Sequence, residues 1–525
     1  MTIQLKTCRE LCATLLLVVF VSFAAVQAQT YSNPVIPGDR PDPSVIRVGD
    51  TYWATTTSGM WEPAFSLFRS RDLVNWDVSG AVLQTPPAWT IGDFWAPEIT
   101  SFGGRFYVYY TARRGDDRLC VAVATAALPS GPYTDHGHLV CQPFGSIDAV
   151  AVTDDQTGAR YLVWKEDGND RCPNAEYPNR KCEPTRNLAQ RLSADGLKLV
   201  GEEVELIRND PNSWEGHVVE GAFILRRGEW FYLFYSGSRC CGRNCDYALG
   251  VARSKNLLGP YEKNPANPIL KKDDNWQCPG HGSIVTDAQG RDFLLYHAYR
   301  NSKTGFFIGR EALLAEVSWG SDRWPRINAG RASSPDRASK DLFFDAFDGP
   351  NLNPIWQWPA FRRPYMKIES DGWLVLSPQR DHEDDELGGV VAQPVTTARF
   401  IATTLVDTSL LKRSSVAGIS VYQYHGRAVG ISIGGRGTIS TYVRDDEKHR
   451  PSPCESGINA SRIYLRMTVR DGSEFRFAFS LDGQNWKNCG DEIRFDKIEG
   501  ARIALAAGGD RGGAAKFDWL RVAPL

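Results

Sequence analysis

A repeated strand pattern is the feature of this sequence that most constrains its fold. It is clearest in residues 216–261, where an acidic residue opens an apolar run, an Arg-Gly turn follows, and an alternating aromatic run occupies residues 230–235. A Cys-rich loop, a third apolar run at 248–254 and a Gly-Pro-Tyr turn complete the unit. Apolar alternation bounded by turn residues predicts a small antiparallel β-sheet.

Five copies of this unit occupy the first two-thirds of the chain. They open at Asp42, Glu98, Asp148, Glu220 and His281, 50 to 72 residues apart. Propeller blades commonly take about 40–50 residues, so this period indicates blades with long loops. Any β protein shows alternation, but here the order of opening residue, aromatic strand and later strand recurs. We therefore predict an all-β chain that begins with a five-bladed β-propeller.

The chain divides into four predicted segments: a signal peptide at 1–28, the propeller at 29–327, a linker at 328–340 and a second β domain at 341–525. Lys6 and Arg9 precede an apolar run that is shorter than the ~20 residues a membrane-spanning helix needs. Small residues then mark a cleavage site near Ala28. This pattern predicts a secreted or periplasmic protein with no membrane partner.

The second domain shows strand patterns separated by Asp-Gly turns, which favour two packed antiparallel sheets of the β-sandwich or jelly-roll kind. The clearest strand patterns lie at 372–376, 428–433, 438–443, 463–469, 475–480 and 501–507. The linker is about a dozen residues long, so the two domains cannot range far apart. We expect the sandwich to dock on the propeller and to bury some of the aromatic residues Trp356, Trp358 and Phe361.

Composition narrows the possible functions. The 60 basic and 62 acidic side chains nearly cancel, which argues against nucleic acid as a partner. The 16 Trp, 19 Tyr and 24 Phe residues suit both packed sheet cores and a carbohydrate-binding cleft.

Ten cysteines remain after the signal segment, an even number that suits an oxidising compartment. The pairs expected from sequence proximity are Cys120–Cys141, Cys172–Cys182, Cys454–Cys489, and two bonds among Cys240, Cys241, Cys245 and Cys278. A zinc site in the last group is the alternative, although its spacing matches no common zinc pattern.

Three carboxylates are the candidate catalytic groups. Asp42, Asp148 and Glu220 each open a blade, so all three should point to one end of the propeller axis. Carboxylates packed together raise the pKa of at least one of them. One protonated and one ionised carboxyl group are what glycoside hydrolysis requires. Each could instead cap a turn, as Glu98 could, and position in the repeat is what distinguishes the three from Glu166, Asp167 and Glu215.

Distinctive motifs follow the repeat: RPDPS around Asp42, FWAPEI around Glu98, SIDA around Asp148 and VEGAF around Glu220, then LLGPYEKNPANPIL, CPGHGSIV and IGREALL. Together, in this order, they resemble glycoside hydrolase family 43. The resemblance implies a five-bladed propeller of inverting enzymes that act mainly on arabinose- and xylose-containing plant polysaccharides. One departure is Ala222, where proline often follows the Glu-Gly pair. FFDAFDGPNLNPIWQW, FAFSLDGQNWKNCG and KFDWLRV in the second domain resemble the concanavalin-like sandwich of the family's β-xylosidases.

The resemblance also implies residue roles. Asp42 would be the general base, Glu220 the general acid, and Asp148 the carboxylate that tunes and orients the acid. Trp95, His281 and Arg310 would bind the sugar. No cofactor is required for this chemistry, but many members hold a structural calcium ion on the axis. His281 or His297 could bind it, or both could be hydrogen-bonded pocket histidines.

Two features of the sequence point to different substrates. The sandwich resembles that of β-xylosidases, whereas the adjacent Cys240 and Cys241 resemble arabinan-cleaving members. We expect a secreted enzyme that removes terminal xylose or arabinofuranose from hemicellulose or pectin side chains. The alternatives are an endo-acting arabinan 1,5-α-L-arabinosidase and, more remotely, a carbohydrate-binding propeller without catalysis.

Overall fold

The computed structural model describes residues 31–168, 184–329, 342–379, 385–424, 426–445, 448–509 and 513–525. The predicted signal peptide, the Cys172–Cys182 pair and most of the predicted linker lie outside these residues and stay predictions. None of the helices in the described ranges is long and apolar enough to cross a membrane.

The first domain consists of five four-stranded antiparallel sheets, each built from strands that follow one another in the chain. Blade 1 contains β1 (Ser44–Val48), β2 (Thr51–Thr55), β4 (Ala64–Ser70) and β5 (Asp77–Leu83). Blade 2 contains β6 (Thr90–Phe102), β7 (Arg105–Arg114), β8 (Leu119–Ala126) and β9 (Thr134–Val140). Blade 3 contains β10 (Ser146–Thr153), β11 (Arg160–Glu166), β12 (Arg186–Leu192) and β13 (Leu199–Arg208). Blade 4 contains β14 (Val219–Arg227), β15 (Trp230–Gly237), β16 (Ala248–Ser254) and β17 (Glu262–Lys263). Blade 5 contains β18 (Trp276–Thr286), β19 (Asp292–Arg300), β20 (Glu311–Trp319) and β21 (Pro325–Ala329).

The first strand of each blade faces the axis. Successive first strands contact one another, and the first strand of blade 5 contacts that of blade 1, so the ring is closed. The segment before blade 1 reinforces this closure, because Val35 and Ile36 exchange backbone hydrogen bonds with Ala312 of blade 5. A short helix, α1 (Gly305–Ile308), joins β19 to β20. The predicted five-bladed propeller is confirmed.

The second domain is a sandwich of two antiparallel sheets around one apolar core. The larger sheet contains β22 (Phe343–Asp345), β24 (Tyr365–Ile368), β25 (Leu374–Ser377), β27 (Phe400–Asp407), β32 (Arg462–Arg470), β33 (Glu474–Ser480), β34 (Lys487–Asn488), β35 (Ile493–Arg494) and β37 (Ala515–Pro524). The smaller sheet contains β26 (Gly389–Pro394), β28 (Val416–Gln423), β29 (Arg427–Gly434), β30 (Ile439–Asp445), β31 (Lys448–Glu455) and β36 (Arg502–Gly508). All six strand patterns identified in the sequence form strands.

The sandwich is docked on the propeller. Two short strands, β3 (Trp61–Glu62) of the propeller and β23 (Trp358–Pro359) of the sandwich, pair across the interface. Trp356 lies in the sandwich core and Trp358 is buried at the interface, whereas Phe361 stays 43% exposed and packs its ring 6.3 Å from that of Phe94. The docking predicted from the short linker is therefore what the structure shows.

A second contact ties the sandwich to the loops of blades 4 and 5. The backbone amides of Gly500 and Ala501 donate to carbonyl oxygens of Phe306 and Phe307, at 3.0 and 2.7 Å. Arg243 of the Cys-rich loop forms an ion pair with Glu499, at 3.1 Å. Phe306 and the Cys-rich loop both pack on the apolar cluster of Tyr247, Cys278 and Tyr299, so the sandwich helps to hold these loops in place.

Four disulfides lie in the described residues: Cys120–Cys141, Cys240–Cys241, Cys245–Cys278 and Cys454–Cys489. They confirm the predicted Cys120–Cys141 and Cys454–Cys489 pairs and the prediction of two bonds among the other four cysteines, whose pairing the sequence left open. The four sulfurs considered for zinc are bonded to one another instead.

Candidate active site

Each blade presents one residue in the left-handed backbone region at the same end of the axis. In blades 2 to 5 this residue lies in a β-bulge that interrupts pairing between the first and second strands, and in blade 1 it lies just before β1; we call all five the bulge residues. The five bulge residues are Asp42 (φ 53°), Ala96 (44°), Asp148 (57°), Gly221 (58°) and His281 (38°). Bulges re-aim side chains and are frequent beside active sites, and Asp tolerates the left-handed region better than most residues.

The backbone amides of the five bulge residues form a closed set of hydrogen bonds, which we call the amide ring. Each amide donates to a side chain of the preceding blade, so the bulges are fixed from one blade to the next. The five bonds are Asp42 N–H to His297 Nδ1 (3.1 Å), Ala96 N–H to Thr57 Oγ1 (2.6 Å), Asp148 N–H to Thr111 Oγ1 (3.2 Å), Gly221 N–H to Asp148 Oδ2 (3.0 Å) and His281 N–H to Ser236 Oγ (2.9 Å). Buried amides need such partners, so the ring explains how the strained bulges persist.

The positions of the bulges show that Glu98 in blade 2 does not correspond to Glu220 in blade 4, as the sequence repeat had suggested. Glu98 was aligned with Glu220, but Glu220 is the last paired residue before its bulge and Glu98 is the first paired residue after its own. The residue that matches Glu220 is Trp95. The sequence repeat is therefore out of register at this blade because two bulge residues are unpaired and do not follow strand periodicity.

The three candidate carboxylates converge. Asp42, Asp148 and Glu220 are 9%, 8% and 7% exposed. His281 links the first two, since its Nδ1 lies 3.4 Å from Asp42 Oδ1 and 3.8 Å from Asp148 Oδ2. Asp148 in turn accepts the amide hydrogen of Gly221, the residue next to Glu220. Asp42 and Glu220, which are 178 positions apart in the sequence, thus belong to one buried polar cluster.

Asp42 is held as a carboxylate. Burial alone would raise the pKa of Asp42, but the charges of Arg310 and His281, together with a hydrogen bond to His297, outweigh burial and hold that pKa well below its usual range. Arg310 Nη1 lies 3.4 Å from Oδ1, and Thr57 Oγ1 donates to Oδ2 at 2.7 Å. Asp42 therefore stays ionised at any ordinary pH, the state in which a general base must begin.

Glu220 lies against a buried cation. Lys165 Nζ donates to Oε2 at 2.7 Å, and the Tyr247 hydroxyl donates to Oε1 at 2.8 Å. Burial alone would raise the pKa of Glu220, but the charge and hydrogen bond of Lys165, with the hydroxyl of Tyr247, lower it. In the free protein, Lys165 therefore works against the protonated state that a general acid at Glu220 would need.

Asp148 is the carboxyl group whose pKa is raised. Burial is the largest cause and the neighbouring charges of Glu220 and Asp42 add to it, so the pKa of Asp148 rises to about 6 even though His281 and Lys165 oppose the change. Among the three carboxyl groups, the pKa is raised at Asp148 and lowered at Asp42 and Glu220, and the charge of Lys165 is the largest cause that lowers it at Glu220.

The predicted sugar-binding residues border this cluster. Arg310 and His281 contact Asp42 directly. Trp95 is half-buried at the blade 2 position that matches Glu220 in blade 4. The structure brings His281 and Arg310 together with the carboxylates, and it places Trp95 at the same end of the axis.

A calcium ion held on the axis by a histidine stays a prediction. The described residues contain no group of three or more His, Cys, Asp or Glu side chains that could hold a metal through side chains alone. His297 Nε2 is buried without a hydrogen-bond partner in the described part of the chain. His297 Nδ1 lies 3.1 Å from both the amide nitrogen and Oδ1 of Asp42, and burial lowers the pKa of His297 to about 4.

Sequence reasoning missed Lys165 and Tyr247. A lysine inside the apolar strand YLVWK was the available signal, because a lysine is almost never fully buried unless it is paired. The other acidic residues weighed from the sequence have structural partners. Glu166 lies 2.5 Å from Arg186, Glu215 lies 2.7 Å from Lys263, and Asp167 lies 3.6 Å from Lys165.

Comparison with known proteins agrees with this geometry. Residues 31–325 match the model of glycosyl hydrolases family 43, and residues 344–523 match that of the β-xylosidase C-terminal concanavalin A-like domain. Two curated relatives align along most of their length. Xylosidase/arabinosidase 43B of Humicola insolens is 26% identical over 94% of this chain and 97% of its own, and a xylan 1,3-β-xylosidase of a Vibrio species is 26% identical over 88% and 90%.

A solved structure shares the complete architecture. The xylan β-1,4-xylosidase of Bacillus halodurans C-125 superposes with a TM-score of 0.78 over 94% of this chain and all of its own, at 23% identity. At that identity the likeness shows the fold. Together with the family models, it leads to one conclusion: this chain belongs to glycosyl hydrolase family 43 and is a glycoside hydrolase in which a five-bladed propeller carries a concanavalin-like sandwich.

Proposed function

We propose that this enzyme is an inverting, exo-acting hydrolase that removes terminal xylose or arabinofuranose from plant hemicellulose or pectin side chains. The observation that carries the mechanism is the division of protons among the carboxylates. Arg310 and the histidines keep Asp42 ionised, while the Asp148–Glu220 pair holds a proton up to about pH 6. One ionised and one protonated carboxyl group are the two groups an inverting glycosidase uses.

The proposed reaction is a single displacement. Asp42 removes a proton from water as its oxygen bonds to the anomeric carbon, and Glu220 gives a proton to the leaving oxygen as the glycosidic bond breaks. Asp148 and Glu220 interact strongly, so the proton belongs to the pair. A leaving oxygen placed beside Glu220 can accept a hydrogen bond from a protonated carboxyl group, which favours the proton on Glu220. Asp148 repels a second negative charge and thereby keeps the proton within the pair.

The exo preference is supported by the docked sandwich. Phe361 packs on Phe94, next to Trp95, and β23 ties this part of the sandwich to β3. A wall fixed at the rim of the mouth would leave less room for a chain extending in both directions. The names of the relatives, a xylosidase/arabinosidase and a xylan 1,3-β-xylosidase, support xylose and arabinofuranose as the sugars removed.

We also propose that the enzyme is exported. The charged start, apolar run and small-residue site of residues 1–28 form a signal-peptide pattern. Disulfides such as Cys120–Cys141 persist mainly in oxidising compartments.

Product stereochemistry and a substrate panel test the proposal. Proton NMR during hydrolysis of 4-nitrophenyl β-xyloside and α-L-arabinofuranoside should show first a product of inverted anomeric configuration. Xylan and linear arabinan should release single sugars. Oligosaccharides from linear arabinan would indicate the endo-acting alternative, and absence of hydrolysis with retained binding would indicate a non-catalytic propeller.

A further inference from the structure

A cavity of about 190 Å³ lies between the propeller and the sandwich, away from the carboxylate cluster. The propeller contributes Arg40, Phe68 and Trp76 to its lining, and the sandwich contributes Val395 and Thr396. Its rim includes Pro37, which is exposed, so small solutes can reach it from solvent. Its walls are mainly apolar, and Arg40 supplies the charge.

Arg40 is a buried cation without a matching anion. Its side chain is 4% exposed, with the guanidinium 5.1 Å above the Phe68 ring and one hydrogen bond to a neutral group, Ser66 Oγ, at 3.2 Å. Nε has no hydrogen-bond partner among the described residues, and among their carboxylates Asp39 is the one whose charge acts on this side chain. Guanidinium groups stay charged in proteins, so this charge is buried at a cost unless a partner arrives.

The charges around Arg40 leave one positive charge in excess. Arg502 of the sandwich is also buried, lies 4.1 Å above the Trp61 ring and donates to Gln357 Oε1 at 2.7 Å. Burial lowers the pKa of Arg40 to about 10 and that of Arg502 to about 9, and the charge of Arg40 contributes to the second change. Asp39 is the carboxylate whose charge acts on both, so two cations face one anion.

We propose that this interdomain cavity binds a monocarboxylate with an apolar body, whose carboxylate pairs with Arg40. A carboxylate matches the planar guanidinium and supplies the missing negative charge. Phe68, Trp76 and Val395 suit an apolar body, and one excess charge suits a single carboxylate group. Such a ligand would bridge the two domains, since both line the cavity.

The position of Arg40 connects the cavity to the active site. Arg40 is two residues before Asp42, and its backbone amide donates to the Arg310 carbonyl oxygen at 2.7 Å. A ligand that fixes Arg40 would also fix the backbone that carries Asp42. Occupancy should therefore stabilise the docked arrangement of the complete chain.

Calorimetric titration of the full-length protein with benzoate tests the proposal. We expect saturable binding with one site per chain, weaker binding of acetate, and no binding of benzamide, which has the same shape without the charge. Arg40→Met should weaken benzoate binding by about 10-fold or more, because a hydrogen bond to a charged group is lost. Arg69→Met, a change at an exposed arginine of β4 next to Phe68, is the matched control and should bind as the wild type does.

A second variant keeps the test decisive if Arg40→Met does not fold. Val78→Trp fills the cavity from the propeller side while leaving Arg40 in place, and it should abolish benzoate binding. The proposal is wrong if benzoate does not bind, if benzamide binds equally well, or if Val78→Trp binds benzoate unchanged, which would place the ligand elsewhere. Because the readout is binding at this cavity, it does not depend on the proposed hydrolytic activity.

Discussion

Replacing Lys165 with methionine should move the basic limb of the pH–activity profile upward. Lys165 is fully buried, with Nζ 2.7 Å from Glu220 Oε2, and methionine keeps most of its volume while removing the charge. At an effective dielectric constant of about 20, two unit charges about 4 Å apart interact by about 4 kcal/mol. Measured effects of one such neighbour on a carboxyl pKa are about 1 to 3 pH units, or about 1.4 to 4 kcal/mol.

The sign follows from the role proposed for Glu220. The free enzyme must hold Glu220 protonated for kcat/KM to be high. Lys165 lowers the pKa of Glu220, so its removal lets Glu220 stay protonated to higher pH. We expect the basic limb of kcat/KM for an aryl glycoside with a poor leaving group to rise by about 1 to 3 pH units.

Stability should change in the same variant. In the wild type, the lowered pKa of Glu220 contributes stability above about pH 4.5 that is lost as the pH falls through the folded-state pKa. Without Lys165, burial dominates and the folded pKa is raised, so stability should instead be lost as the pH rises through the new value. Tm measured from pH 4 to 9 should therefore be highest at the acidic end.

Lys263→Met is the matched control. Lys263 forms an equally short pair with a buried glutamate, Glu215, at 2.7 Å, but this pair lies outside the carboxylate cluster. This variant should leave the basic limb in place. If Lys165→Met also leaves the basic limb and the pH dependence of Tm unchanged, Lys165 does not control the protonation of Glu220 and the reasoning fails.

Four further predictions concern the other parts of the proposal. Glu220→Gln should lower kcat by about 10² to 10⁴ on natural substrates, and less on aryl glycosides with good leaving groups; equal losses on both would count against its role as the acid. Asp42→Asn should abolish turnover, and a ligand-bound crystal structure should place the Asp42 and Glu220 carboxyl groups roughly 6.5–9.5 Å apart, whereas about 5 Å would indicate retention. Asp148→Asn keeps an acceptor for the Gly221 amide but removes a charge that repels Glu220, so the basic limb should move to lower pH; an unchanged limb with normal activity would make Asp148 structural. Truncation after Arg337 removes the sandwich that covers Trp61 of the propeller, so an insoluble or inactive product is expected. Full activity of the truncated protein on short substrates would contradict a functional interface.

The sequence predicted most of the fold because strand alternation and turn residues are local signals. The five blades, the sandwich strands and the Cys120–Cys141 and Cys454–Cys489 pairs follow from residues that lie close together in the sequence, at most about 70 positions apart. The sequence failed where the backbone leaves the strand period. Trp95, not Glu98, matches Glu220, because a bulge shifts the register by an amount that side-chain alternation does not record.

The sequence predicted where the site residues lie but not their protonation states. The positions of Asp42, Asp148 and Glu220 follow from the repeat, but their protonation depends on contacts between blades. Lys165 reaches Glu220 across 55 residues, and His297 reaches Asp42 across 255. Such partners become visible only once the blades are closed into a ring.

The amide ring has a consequence for attempts to make the enzyme more heat-resistant. Four of its five members are not glycine, and left-handed backbone costs about 1–2 kcal/mol for such residues. The summed conformational cost of these four residues is a sizeable part of the ~5–15 kcal/mol free energy of unfolding of a typical native protein. Screening for thermal tolerance alone would therefore favour glycine at Asp42, Asp148 and His281, and it would select robust proteins that no longer hydrolyse glycosides. Ala96 is the one position in the ring where that exchange could raise tolerance without removing a charged or proton-carrying group.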